Sequence, residues 1–166
     1  MDFELSLITS INSGDGKIAA ILGCNKALSR YGISLSEEDA LALAACCESS
    51  VRENGRIEVG TGITDRLLKT FCHSAYIAAD EFADTICELT EIFYYFKSDM
   101  LELADDDELT EYMYEAFEQR CRGSLTVLAD TELPKISDNL RAGLPPFYEE
   151  PEELDEDEEC EEDTYE

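Results

Sequence analysis

The sequence predicts a mainly α fold: a single-domain bundle of about six helices with at most a minor extended element, followed by a disordered acidic C-terminal tail. Three observations lead there. Apolar residues recur at steps of three and four through most of the first 143 positions, which is the repeat of a helix with one buried face. Glycine, proline and capping residues separate those stretches at helix-length intervals. From Glu149 onward the chain holds thirteen acids and no base, too little apolar surface to offset the entropy of ordering. The boundaries that follow are a helical domain over residues 1–146 and a tail over 147–166. A body of that size buries a core without needing disulfides or metal.

At the N-terminus, Phe3, Leu5 and Leu7 alternate with polar residues and suit a short extended arm. "SGDGKIAAILGCNKALSRYG" places Ile18, Ile21, Leu22, Leu28 and Tyr31 at helical spacing, giving a helix from about Asp15 to Arg30 with Gly32 just past its end. "SEEDALALAACCESSVRENG" carries an N-cap serine, Ser36, and three acids in the first turn, and closes at Asn54-Gly55. Its apolar side is expected to hold Leu41, Ala44, Ala45 and Val51. "RIEVGTGITDRLLKTFCHSAY" begins with the one candidate extended element, Arg56 to Val59. Thr61 or Thr64 should then cap a helix bearing Ile63, Leu67, Leu68 and Phe71.

"AADEFADTICELTEIFYYFKSDM" is a long amphipathic helix with Phe82, Ile86, Leu89, Phe93 and Phe96 on one face and Tyr94 and Tyr95 at the edge of the core. "DDDELTEYMYEAFEQRCRG" starts at an Asp105–Asp107 cap and turns Leu109, Tyr112, Met113, Ala116 and Phe117 inward. "SLTVLADTELPKISDNLRAGLPP" starts at Ser124, carries Leu125, Leu128, Ile136 and Leu140, and should be kinked or divided at Pro134. Gly143 and Pro145-Pro146 end it.

Charge narrows the function classes. Forty acids against twelve bases give a net charge of −28, and residues 1–148 alone, with twenty-seven acids and twelve bases, carry −15. Such a field repels nucleic acid and anionic membranes and attracts basic surfaces. The start "MDFE" has no basic region before an apolar run, and "IAAILGC" and "ALALAACC" are too short to span a bilayer, so a cytoplasmic protein is expected. Seven cysteines with no C-x-x-C spacing read as reduced, core-filling residues, Cys46 and Cys47 included.

The most site-like segment falls short of known site patterns. The loop ahead of Ile63 lacks the Gly-Lys-Ser/Thr of a phosphate loop and has Asp65 where a dinucleotide fingerprint needs glycine. An acid there competes for the helix N-H groups that hold an anion. Its glycines therefore read as a turn. His73 is the single histidine, which removes di-iron bundles that need two. Cys72 beside it points about 100° away around a helix, so the catalytic candidates Cys72, His73 and Cys87 depend on tertiary approach. The acids lack calcium-loop spacing and the cysteines lack zinc spacing. No cofactor and no metal is expected.

Three blocks, "YGISLSEEDALAL", "GRIEVGTGITDRLLKTFCHSAYIAADEFADTICELTEIFYYFKSD" and "DDELTEYMYEAFEQRCRGSLTVLA", resemble an uncharacterised family of small proteins from anaerobic Firmicutes, a domain of unknown function. The likeness covers most of Arg30 to Ala129. In that family "FCHSAY" often has an acid near the position of His73, so this sequence departs there. The resemblance implies no activity, cofactor or site residue.

The functional expectation is a non-enzymatic interaction or adaptor protein that binds a basic protein surface, with Glu152, Glu153, Asp155, Glu156, Asp157, Glu158 and Glu159 making electrostatic contact. Two readings stand beside it: an enzyme with a Cys/His site between helices, and a nucleic-acid mimic whose acidic helices occupy a DNA-binding protein's site. A homo-oligomer is compatible with all three.

Overall fold

The computed structural model describes residues 14–57 and 62–152. Six helical elements build an all-α fold, and there is no strand among the described residues. Val59 and the N-terminal arm lie outside them, and Arg56 and Ile57 are irregular.

Helix α1 spans residues 14–31 in three pieces, Gly14–Gly23, Asn25–Leu28 and a 3-10 turn Ser29–Tyr31. The sequence reads as one continuous helix, but the chain steps at Cys24, whose N-H bonds Ile21 O at 3.1 Å. Gly32 closes the element in the left-handed conformation, φ 74°. Helix α2, Glu37–Glu53, starts at a reciprocal capping box: Asp39 N-H donates to Ser36 Oγ at 3.1 Å, and Ser36 N-H donates to the Asp39 carboxylate at 2.9 Å. Helix α3, Thr64–Phe71, has no side-chain cap. Thr64 is its buried first residue, and the turn before it is made by Gly62 at φ 59°. Thr61, the other predicted cap, lies outside the described residues.

Helix α4, Phe82–Asp99, is the spine, packed against α2, α3 and two later helices. Its phenylalanine, isoleucine and leucine row is fully or almost fully buried as expected. Tyr94 is also fully buried rather than at the edge, its ring edge-on to Phe93 at 5.3 Å.

Helix α5 covers residues 106–120, starting from a second capping box between Asp105 and Glu108. It widens into a π turn over Ala116–Arg120. Helix α6 covers residues 125–141: Leu125–Val127 capped by Ser124, a π turn Leu128–Glu132, then Leu133–Arg141. Pro134 stands in the first turn of the last piece, so α6 is divided immediately before it, by a π turn rather than by a break. A proline ring collides with the carbonyl four residues back in an α-helix, and here the wider turn stands immediately before it, with Leu133 N-H reaching Leu128 O.

The two π turns pack on each other. Arg120 spans them, 3.8 Å from Glu132, and also holds Glu149 at 2.6 Å and lies 5.0 Å over the Phe147 ring. Asn139 donates to Pro146 O and Tyr148 O at 3.1 and 3.0 Å. The chain thus stays on the body past Pro146, through residues that composition assigns to the tail.

One face differs from expectation. The buried side of α2 is Ala40, Leu43, Ala44, Cys47 and Ser50, whereas Leu41 is 55% exposed and Ala45 is on the outside. "ALALAACC" is apolar all round, so its periodicity cannot choose a side; the side that is buried, mostly small residues, packs between α1 and α4.

Candidate functional site

Helices α2, α4 and α6 leave a groove of about 570 Å³ between them, lined by Ser50, Glu53, Asn54, Glu91, Ile92, Tyr95, Phe96, Ala129 and Asp130. Each wall follows from helical spacing. Ser50, Glu53 and Asn54 close the last turn of α2, and Glu91, Ile92, Tyr95 and Phe96 are steps of one, three and one along α4. Ala129 and Asp130 come from the π turn of α6. Glu53, Glu91 and Asp130 put three carboxylates on the rim and no lining residue is cationic. Tyr95 is 58% exposed beside Ile92 and Phe96, so the groove offers apolar and aromatic contact together with three carboxylates.

A second pocket of about 420 Å³ lies between α1 and α3. Lys26, Arg30 and Lys69 line it together with Asp65, which pairs with Lys69 at 3.1 Å and accepts from the Cys24 thiol at 3.0 Å. That acceptance and the two neighbouring cations hold the Asp65 carboxyl below its usual range despite burial. The carboxylate in the first turn of α3 is therefore committed to the side chains of Cys24 and Lys69 and, since no side chain caps this helix, not to the helix N-H groups for which the sequence argument had it compete.

The predicted catalytic candidates are dispersed. Cys72 is buried, and its thiol donates to Lys69 O at 3.0 Å; burial pushes it up from its ordinary value. His73 is exposed, its ring packed edge-on to Tyr31 at 4.6 Å. Cys87 lies half-buried on α4, near the groove, and its partner is a cysteine that the sequence reads as core: Cys46 on α2. The Cys46 thiol donates to Cys87 O at 3.1 Å, stands 3.9 Å from a Glu91 carboxylate oxygen, and interacts side chain to side chain with Cys87. Surrounded by those acceptors, Cys46 keeps its proton and is raised well above an ordinary thiol. Cys87 is lowered by its side-chain interaction with Cys46, against the opposing effects of burial and of Asp84, Glu91 and Asp39. Cys46 is thus not a core filler. Its approach to Cys87 joins positions 41 apart, and no local spacing signals it.

Among the described residues no three His, Cys, Asp or Glu side chains converge as metal ligands, and no helix is long and apolar enough to cross a membrane. Of the predicted docking acids, Glu152 is exposed. Glu153, Asp155, Glu156, Asp157, Glu158 and Glu159 lie outside the described residues.

Residues 20–146 match the model of a family of unknown function (DUF6323). No curated protein and no solved structure matches the chain.

Proposed function

The chain belongs to this family of unknown function, so no activity comes with the fold, and we propose that it is a non-enzymatic cytoplasmic interaction protein whose partner presents a Lys/Arg-rich segment to the groove between α2, α4 and α6. The observation that carries the reading is the makeup of that groove: Glu53, Glu91 and Asp130 together with Ile92, Tyr95 and Phe96, with no cation among the lining residues. A basic segment finds carboxylates for its charged ends there, and an aromatic face on which an arginine stacks or a lysine stem lies. The acidic tail adds steering from a distance, raising the association rate more than the affinity. That the Cys72 thiol is buried on Lys69 O while His73 is exposed against Tyr31 favours this role over a Cys/His enzyme.

The test uses fluorescent Lys/Arg-rich peptides and anisotropy at low and moderate salt. Replacing Glu53 and Glu91 by Gln and Asp130 by Asn is expected to weaken binding by about tenfold, the loss of roughly half a kcal/mol for each rim pair. The same charge change at exposed Glu88, Glu111 and Glu115 controls for net charge, and its effect should be much smaller. Ending the chain after Glu152, which keeps the Arg120–Glu149 pair, should slow association and flatten its salt dependence. Equal losses from the groove set and the control set would show that only bulk charge is read, and the groove would not be the site.

A further inference from the structure

Independently of any partner, we propose that Cys46 and Cys87 are a peroxide-oxidisable dithiol, closing a reversible disulfide between α2 and α4 at the edge of the groove. The geometry rests on three observations. The Cys46 sulfur is 3.1 Å from the backbone oxygen of Cys87 and contacts its side chain. Both side chains are half-buried, which leaves a path for a small oxidant, whereas Cys24, Cys47, Cys72 and Cys121 are buried. Helix α2 packs directly on α4, and its buried residues around Leu43 are the small Ala40, Ala44, Cys47 and Ser50, which suits the short backbone separation that a disulfide demands.

The chemistry divides between the two sulfurs. Cys46, whose thiol is held by Cys87 O and Glu91, is the resolving sulfur, and Cys87 is the attacking thiolate. The Cys87 thiolate attacks one oxygen of hydrogen peroxide and the O–O bond breaks. Cys87 becomes a sulfenic acid, and the departing hydroxide takes up a proton to leave as water. The Cys46 sulfur then attacks the sulfenic sulfur, losing its proton; the S–S bond forms, the S–O bond breaks, and a second water leaves. Two thiols and one peroxide give one disulfide and two waters, the sulfurs losing the two electrons that peroxide gains. Thiol exchange with a small monothiol or dithiol restores the pair. Ser50 and Glu91, each one helical turn beyond a cysteine of the pair, line the groove, so the oxidised state joins its two walls.

The experiment treats the full chain with a small excess of hydrogen peroxide under native conditions, both as such and with Cys160→Ser to remove the tail thiol. Free thiols are then counted, and non-reduced fragments are mapped by mass spectrometry. The expected result is paired loss of two thiols, a mass lower by two hydrogens, and a link between the fragment holding Cys46-Cys47 and the fragment holding Cys87. That link should persist in Cys47→Ser and vanish in Cys46→Ser, where a dimedone adduct on Cys87 replaces it. A link that survives Cys46→Ser, an oxidised Cys87 in the unsubstituted chain with no link, or no reaction at either sulfur would overturn the proposal.

Discussion

Replacing Lys97 by methionine tests whether one buried ammonium holds the connection from α4 to α5. Lys97 is 8% exposed, and its Nζ donates to Ala104 O at 2.6 Å and sits 3.0 Å from Asp106. The intervening chain needs an anchor, since Leu101 and Glu102 both have left-handed φ, 56° and 59°, a conformation that costs about 1–2 kcal/mol for each residue with a Cβ. Methionine keeps the length and apolar stem and removes the charge. What is lost is one charge-assisted hydrogen bond to a carbonyl of a residue that is itself buried, about 1.5–3 kcal/mol. The Asp106 side chain is 39% exposed, so its share of the ion pair is discounted to less than about 1 kcal/mol. The expected total is about 2–3 kcal/mol, a fall in Tm of roughly 5–10 °C for a chain of this size. Thermal unfolding followed by far-UV circular dichroism reads it, with Asp106→Asn run alongside and expected to cost far less. A Lys97→Met melt within about 2 °C of the parent, below one kcal/mol on this scale, would refute the reasoning. An Asp106→Asn melt as low as that of Lys97→Met would shift the anchor from the carbonyl to the ion pair.

Two further outcomes follow from local geometry. Gly123 has φ 83°, and a Cβ there would stand 2.5 Å from Tyr76 Cβ, whereas Gly32 has φ 74° and open space around it. Gly32→Ala should therefore cost only the backbone term, about 1 kcal/mol, and Gly123→Ala at least twice that; equal shifts in Tm would remove the Tyr76 contact from the explanation. Cys24 and Cys121 are both pushed up to about 11, chiefly by burial, from an ordinary value near 9. The folded chain keeps protons that the unfolded chain has already released, so their contribution to stability is full below about pH 9 and is lost as pH rises through about 11. Melts across that window should fall less steeply in Cys24→Ala than in the parent, and identical slopes would count against a buried, protonated Cys24.

The helices were legible because their ends are written in short-range chemistry. Ser36 with Asp39, Asp105 with Glu108, and Ser124 are capping patterns within three or four residues, and the structure uses all three. The α4 row from Phe82 to Phe96 was legible because polar residues occupy the other side. Where no polar face exists, as in α2, the pattern is mute, and so Leu41 was expected inside; Tyr94 was expected at the edge although α4 has a polar side. The π turns leave no mark in periodicity over five residues, although Pro134 signalled that an ordinary helix had to give way. The groove and the Cys46–Cys87 approach arise from which helices become neighbours in space. The sequence named Cys87 but assigned it the wrong companion, because His73 was conspicuous as the only imidazole while Cys46 looked like one more small apolar residue in an alanine run.

The paired π turns also bear on how far the chain can change in length. A π turn accommodates one more residue than an α turn while returning the helix to nearly the same course, so each marks a place where a residue can be gained or lost with the flanking faces kept in register. At Ala116–Arg120 such a loss tightens the helix without placing a proline against it. At Leu128–Glu132 the same loss brings the carbonyl of an ordinary turn back against the ring of Pro134. Two neighbouring segments of the same shape are therefore held by different things: the second by the proline that follows it, the first by the contacts of Arg120 to Glu132, Glu149 and Phe147, which a lost residue would displace.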